Sequence, residues 1–162
     1  MENDPSIASL QHAWLALSRQ SRLPSVDERL RRDAGTDLAR PALVALARLN
    51  DSGPMMISEL AALSGVDVST MSRTLKHLTA SGLARRQRGG DLRCVLLEIT
   101  PSGRETVDQM MAALRRMLLA VLQDWTETDR SDLARLMTRF SEDFARSAGR
   151  TTTPLAAVGA LP

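Results

Sequence analysis

The chain has 162 residues, a formal net charge of +2, 2% aromatic residues and one cysteine. A single cysteine excludes an intrachain disulfide and a metal site made of several thiolates, and the scarcity of aromatic side chains disfavours proteins that bind single strands or RNA by stacking on bases. Because the two histidines are distant from each other and no glycine-rich phosphate motif is present, we expect no enzyme, no cofactor and no metal site.

No apolar run in the sequence reaches the length of a membrane span. The first ten residues are acidic rather than basic before their apolar positions, which argues against a signal peptide. We therefore expect a cytoplasmic protein with no membrane partner. All of the 21 cationic residues except Lys76 are arginines, which suit bidentate contacts with phosphate and guanine, although an arginine-rich proteome would give the same bias.

Residues 6–34 are predicted to form two helices that help to pair subunits. The first helix runs from Ser6 to Arg19, and its apolar residues recur three and four positions apart. The members of this stripe are Ile7, Leu10, Trp14 and Leu17. A shorter helix begins at Pro24, and its arginines are expected to face solvent, with contact to the flanks of a DNA site as the alternative.

Residues 35–100 are predicted to form a DNA-binding lobe. Its first helix opens at Asp37 or a neighbour and runs to Leu49 or Asn50, forming the floor of the lobe. Pro41 falls within the first turn of this helix, where its missing N–H costs little.

The stretch 57–82 is typical of a helix-turn-helix. Gly65 stops the first helix, because glycine adopts the left-handed conformation that ends helices, and Asp67 is a good N-cap for the second. The outward residues of the second helix are Ser69, Thr70, Ser72, Arg73 and Lys76. Small hydroxyl residues let the backbone approach phosphate, and the two cations can reach bases or phosphates. An ordinary pair of amphipathic helices with solvated charges is the alternative.

Residues 83–100 are predicted to form a β-hairpin around Gly89-Gly90, because both glycines tolerate positive φ. A basic hairpin directly after a recognition helix is a wing that can reach phosphates or the minor groove. Its arginines are Arg85, Arg86, Arg88 and Arg93. Asp91 lies two residues before Arg93 and can orient that guanidinium towards a narrow minor groove, with a solvated ion pair as the alternative. The core-facing residues of the return strand are expected to be Val95, Leu97 and Ile99.

Residues 101–148 are predicted to form two further helices of a dimerisation lobe. A capping Thr-Pro pair at Thr100 opens the first, which carries a continuous apolar stripe. Thr126-x-x-Asp129 approximates a capping box and opens the second. The residues of this last helix expected to face inward are Leu133, Leu136, Met137, Phe140 and Phe144. Residues 149–162 lack periodicity and are expected to form a disordered tail.

These residues resemble a known family. Gly53-Pro54, the helix-turn-helix and the wing segment DLRCVLLEITPSG look like the winged-helix core of the multiple antibiotic resistance regulator (MarR) family, and the resemblance covers roughly Leu10 to Ala148. The resemblance implies a homodimeric DNA-binding regulator, usually a repressor and often released by small phenolic ligands or by oxidation. Where the family commonly has a threonine N-cap, this chain has Met56, which removes a side-chain cap typically worth about 1 kcal/mol.

The methionines and the cysteine suggest how such a regulator could respond to a signal. Met55, Met110 and Met111 are expected to line an adaptable pocket for a small aromatic or apolar effector, with core filling as the alternative. Met55 and Met56 also occupy the place of a very short third strand. Cys94 could sense oxidants, because neighbouring arginines favour a thiolate, or it could be a half-buried strand residue. The resemblance favours the second role, since peroxide-sensing relatives carry their cysteine near the first helix.

The sequence therefore predicts a mainly α fold with a small β-wing, in which a winged helix-turn-helix DNA-binding lobe is joined to a helical dimerisation lobe. The predicted function is sequence-specific regulation of transcription by a homodimer that binds double-stranded DNA at an inverted-repeat operator, represses, and is released by a small-molecule effector. The predicted DNA-binding residues are Ser69, Thr70, Ser72, Arg73, Lys76, Arg86, Arg88, Asp91 and Arg93. The alternatives are a winged-helix protein-interaction module, which the cationic helix face contradicts, and a redox sensor that acts through Cys94.

Overall fold

The computed structural model describes residues 4–88 and 95–147, which form seven helices and three short strands. In chain order these are α1 (Pro5–Gln20), α2 (Pro24–Asp33), α3 (Arg40–Ser52), β1 (Met55–Met56), α4 (Ile57–Ser64), α5 (Val68–Ala80), β2 (Ala84–Arg88), β3 (Val95–Ile99), α6 (Pro101–Val121) and α7 (Glu127–Ser147). The expected mainly α fold with a small β-wing is confirmed. None of the described helices is both long enough and apolar enough to cross a bilayer.

One hydrophobic core joins α3, α4 and α5 to the sheet. Its largest fully buried side chains are Leu46, Leu49, Leu60, Met71, Leu75 and Leu78. Within α3 and α5 these positions recur three or four residues apart, so that each of the two helices turns one apolar face inward. Leu97 and Ile99 of β3 close the core from the side of the sheet. We call this part of the chain, residues 38–107, the central lobe.

The sequence predicted that Asp37 or a neighbour opens α3. Asp37 does not open it; Ala39 is the N-cap residue and Arg40 the first residue of the helix. The reason is Pro41, because a helix opened by Asp37 would place this proline where an N–H must donate to the first carbonyl of the helix. Starting at Arg40 keeps the proline among the first two positions, where no such bond is needed. Leu38 is buried all the same, with 3% of its surface exposed.

The sheet has the strand order β1-β3-β2, and both pairings are antiparallel. Met55 lies opposite Leu97, and Ala84 lies opposite Ile99. Leu97 and Ile99 are buried as expected, but Val95 is 52% exposed. Val95 lies on the same side of β3 as Leu97 and Ile99. It is not buried because it pairs with Arg88 at the end of β2, beyond the core of the central lobe.

The Thr-Pro-x-Gly sequence at the start of α6 attaches this helix to the end of the helix-turn-helix. The hydroxyl of Thr100 accepts from the N–H of Gly103 at 3.1 Å and donates to the carbonyl of Gly82 at 2.7 Å. A Cβ atom on Gly103 would lie 2.1 Å from the carbonyl oxygen of Leu83. The motif therefore combines a helix cap with a contact between backbones that only glycine allows.

The helices α1 and α7 pack against each other through aromatic rings and contain no buried residue. The ring of Trp14 lies 5.5 Å from that of Phe140 and 5.8 Å from that of Phe144, measured between centroids. The α7 residues expected to face inward are not buried in the single chain, since Leu136 and Phe144 are 52% and 54% exposed. The contact between α1, with 16 residues, and α7, with 21 residues, is too small to cover the apolar faces of both helices.

Candidate nucleic-acid interface

The connection between α4 and α5 has the geometry of a helix-turn-helix. Gly65 is left-handed, with φ of 68° and ψ of 31°, and its N–H donates to the carbonyl of Ala62 at 3.3 Å. The N–H of Val66 donates to the carbonyl of Ala61 at 3.1 Å, so that both bonds close the end of α4. Asp67 follows as the N-cap of α5, as the sequence indicated.

The start of α4 is capped from within the helix. Met56 stands at the N-cap position, and its side chain makes no capping hydrogen bond. The carboxylate of Glu59 instead accepts from the backbone N–H of Met56 at 2.9 Å. An acid in the first turn also interacts favourably with the positive end of the helix. Glu59 therefore replaces part of the cap that residue 56 does not provide.

The helix α5 turns one face to the core and the opposite face to solvent. The buried face consists of Met71, Leu75 and Leu78. Helical spacing puts Ser69, Ser72, Arg73 and Lys76 on the opposite face, with Thr70 at its margin. Ser69, Arg73 and Lys76 are exposed, whereas Thr70 and Ser72 are half-buried. The structure thus brings together all the residues of α5 that the sequence assigned to DNA binding.

The carboxylate of Asp67 holds the two hydroxyl side chains at the start of α5. One carboxylate oxygen accepts from the hydroxyl of Ser69 at 2.5 Å and from the backbone N–H of Thr70 at 2.8 Å. The other accepts from the hydroxyl of Thr70 at 2.7 Å. These bonds, the one from Ser69 first, hold the pKa of Asp67 far below its ordinary value. The carboxyl group is therefore ionised at neutral pH.

The cations of this surface are not neutralised by acids among the residues that the structure describes. Arg73, Lys76 and Arg86 form no salt bridge with any residue in the ranges 4–88 and 95–147. Arg86 is exposed on β2, the strand that follows α5 in the chain. Unpaired arginine and lysine side chains are suitable partners for the phosphates and base edges of a duplex.

Arg85 has a different environment from its neighbour Arg86. Its guanidinium contacts a carboxylate oxygen of Glu98, the residue opposite it on β3, with both N–O distances at 2.8 Å. Successive residues of a strand point to opposite faces of a sheet. Arg85 and Arg86 therefore lie on opposite faces, and only Arg86 is free of an intrachain acid among the residues described.

The tip of the wing lies outside the described residues. Gly89, Gly90, Asp91, Arg93 and Cys94 all belong to this part. The contact of Arg93 with a minor groove, its orientation by Asp91 and the role of Cys94 consequently stay predictions. Arg88 ends β2 opposite Val95.

A cavity of about 340 Å³ lies between α2, α3 and α6. Its apolar walls are formed by Val26, Leu30, Leu43, Val44, Ala47, Met110, Met111, Leu114 and Met117. Two of the three methionines predicted to line one pocket are thus brought together. Met55 is not, because it is buried in the core of the central lobe, with 6% of its surface exposed, and does not line the cavity.

Polar side chains at this cavity were not anticipated from the sequence. Arg40 donates to the carbonyl of Ser21 at 3.0 Å and approaches the carboxylate of Asp27 at 3.5 Å, and all three residues line the cavity together with Arg31. They come from α3, from α2 and from the turn before α2. The sequence did not predict that these residues meet at one site, because each is a polar residue outside the apolar face of its own helix or turn.

Comparisons with known proteins agree with this geometry. Residues 38–95 match the model of the MarR family. A MarR family protein from Bacillus stearothermophilus superposes with a TM-score of 0.75 at 18% identity, covering 88% of this chain and 98% of that one, which shows the fold alone. A structure of MarR itself superposes with a TM-score of 0.71 at 25% identity, covering 86% of this chain and 93% of that one. A MarR family transcriptional regulator from Silicibacter pomeroyi gives 0.59 at 26% identity, with coverage of 82% and 88%.

No curated protein matches the chain in sequence. The family match nevertheless falls on the lobe that contains the helix-turn-helix and the wing, and the likeness of fold covers more than four fifths of the chain. The chain thus contains a segment that matches the MarR family model, and it has the fold of MarR family transcriptional regulators.

Proposed function

We propose that this protein is a homodimeric repressor of transcription that binds an inverted-repeat operator and is released by a small aromatic or apolar effector. The observation that carries the proposal is the exposed face of α5, where Arg73 and Lys76 have no acidic partner among the described residues. In this proposal α5 enters the major groove, where an arginine can bind guanine through two hydrogen bonds.

The wing supplies a second contact with the same duplex. Arg86 is exposed and unpaired within the described ranges, so it can neutralise a phosphate beside the major groove. Arg88 and Arg93 are proposed to extend this contact, and Arg93 to reach a narrow minor groove, where the negative potential attracts arginine. Two subunits would place their copies of α5 in successive major grooves, about 34 Å apart.

Dimerisation is supported by apolar surface that the single chain leaves open. On α1, Ile7 and Leu17 are 59% and 52% exposed, and on α6, Leu119 and Val121 are 57% and 67% exposed. Soluble monomers rarely expose contiguous apolar patches of this kind. We infer that α1, α6 and α7 of one subunit pack against those of the other.

The effector is proposed to occupy the cavity between α2, α3 and α6. A volume of about 340 Å³ lies within the range of small-molecule sites, and walls rich in methionine adapt to varied apolar ligands. Because α3 lies between the cavity and the core of the central lobe, a ligand that shifts α3 relative to α6 would change the distance between the two copies of α5.

The DNA-binding part of the proposal is tested by selecting bound duplexes from a random library and measuring their affinity by fluorescence anisotropy at several salt concentrations. The selected sites should be inverted repeats, and affinity should fall steeply with salt, because each neutralised phosphate releases counterions. Arg73→Ala should cost about 1 to 3 kcal/mol of binding free energy if this arginine binds a base. Arg85→Ala is the matched control, because this arginine contacts Glu98 instead. An affinity that does not depend on salt would refute the proposal.

The two remaining parts need separate measurements. Leu136→Glu should turn a dimer into a monomer in sedimentation velocity and reduce operator affinity, and a dimer that persists would place the interface elsewhere. A panel of small aromatic acids and phenols, screened by thermal shift, should contain compounds that raise the melting temperature and release DNA. Val44→Phe, which fills the cavity, should abolish that response; a retained response would exclude this cavity.

A further inference from the structure

The hydroxyl groups at the start of α5 have no proton left for DNA. An ionised carboxylate can only accept hydrogen bonds, so in both contacts with Asp67 the serine and the threonine must donate. The distances of 2.5 Å from Ser69 and 2.7 Å from Thr70 are those of strong hydroxyl-to-carboxylate bonds. Each hydroxyl has a single proton, and both protons are already used in hydrogen bonds to Asp67. What Ser69 and Thr70 present outwards are lone pairs.

Lone pairs are unsuitable partners for a phosphate. Phosphate oxygens are hydrogen-bond acceptors that carry negative charge. The carboxylate of Asp67, which is exposed beside the two hydroxyls, is also a negatively charged acceptor. The expectation that these hydroxyls help α5 to approach phosphate therefore does not follow from their observed bonding. Donors in the major groove are a better match, and only two groups there donate, the 4-amino group of cytosine and the 6-amino group of adenine.

We propose that Asp67 is a positioning residue that turns Ser69 and Thr70 into acceptors, so that the first turn of α5 selects cytosine or adenine by its amino group. The inference rests on the proposed function, since it requires α5 to lie in the major groove. It divides the outer face of the helix into two halves. Ser69 and Thr70 accept hydrogen bonds from bases, and Arg73 and Lys76 donate to guanine or to phosphates.

Modified duplexes test the inference on the unaltered protein. In an operator obtained by selection, each adenine is replaced in turn by purine, which lacks the 6-amino group, and each cytosine by pyrimidin-2-one, which lacks the 4-amino group. One or two positions of each half-site should lose affinity about five- to tenfold, the loss expected for one hydrogen bond. Neutral methylphosphonate links at the phosphates nearest those positions should leave affinity unchanged or raise it.

Variants then assign the effect to residues. With Ser69→Ala and Thr70→Val, the penalty of the modified base should disappear at the position that each residue contacts. Asp67→Asn keeps a good N-cap but replaces one acceptor oxygen by an amide that donates, which frees a hydroxyl proton. Selection with this variant should shift the preferred base towards the keto groups of guanine or thymine. Asp4→Asn is the matched control, because Asp4 caps α1 and accepts from the hydroxyl of Ser6 in the same way.

The outcomes separate the inference from the proposed function. If the protein selects an operator and binds it with steep salt dependence, yet no amino-group deletion costs more than twofold, the inference is wrong and the function stands. If methylphosphonate links beside these positions reduce affinity while modified bases do not, the hydroxyls bind phosphate and the inference is likewise overturned. If no operator is selected at all, both fail.

Discussion

The guanidinium of Arg116 on α6 donates to the backbone carbonyl of Asp33 at 2.6 Å, across 83 residues of sequence. Asp33 is the last residue of α2, and the carbonyls at a helix end have no partner within the helix. A cation at this end also interacts favourably with the helix dipole. The contact fixes α2 to α6, and both helices line the cavity proposed for the effector.

Arg116→Met should therefore release α2 from α6. It should lower the affinity for effector more than it lowers the free energy of unfolding. We expect a loss of about 1 kcal/mol in the free energy of unfolding, measured with urea, because the bond is exposed and water can replace the donor. Arg115→Met is the control on the next position of α6. Equal effects of the two substitutions on ligand-induced thermal shifts would contradict this role.

Gly103→Ala should destabilise the protein strongly. A Cβ atom there would lie 2.1 Å from the carbonyl of Leu83 and 2.7 Å from the side chain of Ile99, so backbone must move to admit it. Overpacking of this kind costs about 1 to 3 kcal/mol, or more where backbone is displaced. Urea unfolding of Gly103→Ala and of Ser102→Ala, an exposed neighbour, provides the comparison. A stable Gly103→Ala protein would mean that α6 can shift away from β2 at little cost.

Arg86→Gln and Arg85→Gln should differ in their effect on DNA binding. Because Arg85 already contacts Glu98 and lies on the other face of the sheet, its removal should leave operator affinity nearly unchanged. Removal of Arg86 should lower affinity and reduce the slope of log K against log salt by about 0.9, the value for one lost phosphate contact. Titrations from low to high salt measure both quantities. Identical slopes for the two variants would show that Arg86 touches no phosphate.

Asp67 should make the stability of the protein depend on pH at the acidic end. Hydrogen bonds from Ser69 and Thr70 lower the pKa of its carboxyl group in the folded state below the ordinary 3.8. On acidification the unfolded chain thus takes up the proton first, so this contribution is complete above about pH 5 and is lost as the pH falls below about 4. Asp67→Ser keeps a cap without a titrating group, and its unfolding free energy should decline less between pH 5 and pH 3. Parallel declines would contradict the assignment.

Much of the central lobe was predictable because short-range rules decide it. The left-handed Gly65, the cap at Asp67 and the buried positions of α5 follow from glycine geometry, side-chain capping and helical spacing. The start of α3 was predicted only to Asp37 or a neighbour, because the missing N–H of Pro41, and not the acidic residue, decides where the helix can begin.

The features that were not predictable depend on contacts between distant parts of the chain or on the direction of a hydrogen bond. Met55 was grouped with Met110 and Met111 by residue type, but it is buried in the core and does not line the cavity that they line. The polar residues of the cavity meet only after folding. Spacing along α5 predicted that Ser69 and Thr70 face outwards. It could not show that both hydroxyls donate their hydrogen bonds to Asp67.

The pairing of Met55 with Leu97 ties the two ends of the helix-turn-helix and wing together. The pairing of β1 with β3 closes the chain between these two residues into a ring, and the described parts of this ring pack on the one hydrophobic core that they share with α3. Such a ring can tilt as a rigid body on the segments that enter and leave it, but it cannot easily change shape inside. A signal from outside this ring can therefore change where the recognition surface points, while the arrangement of groups on that surface is preserved.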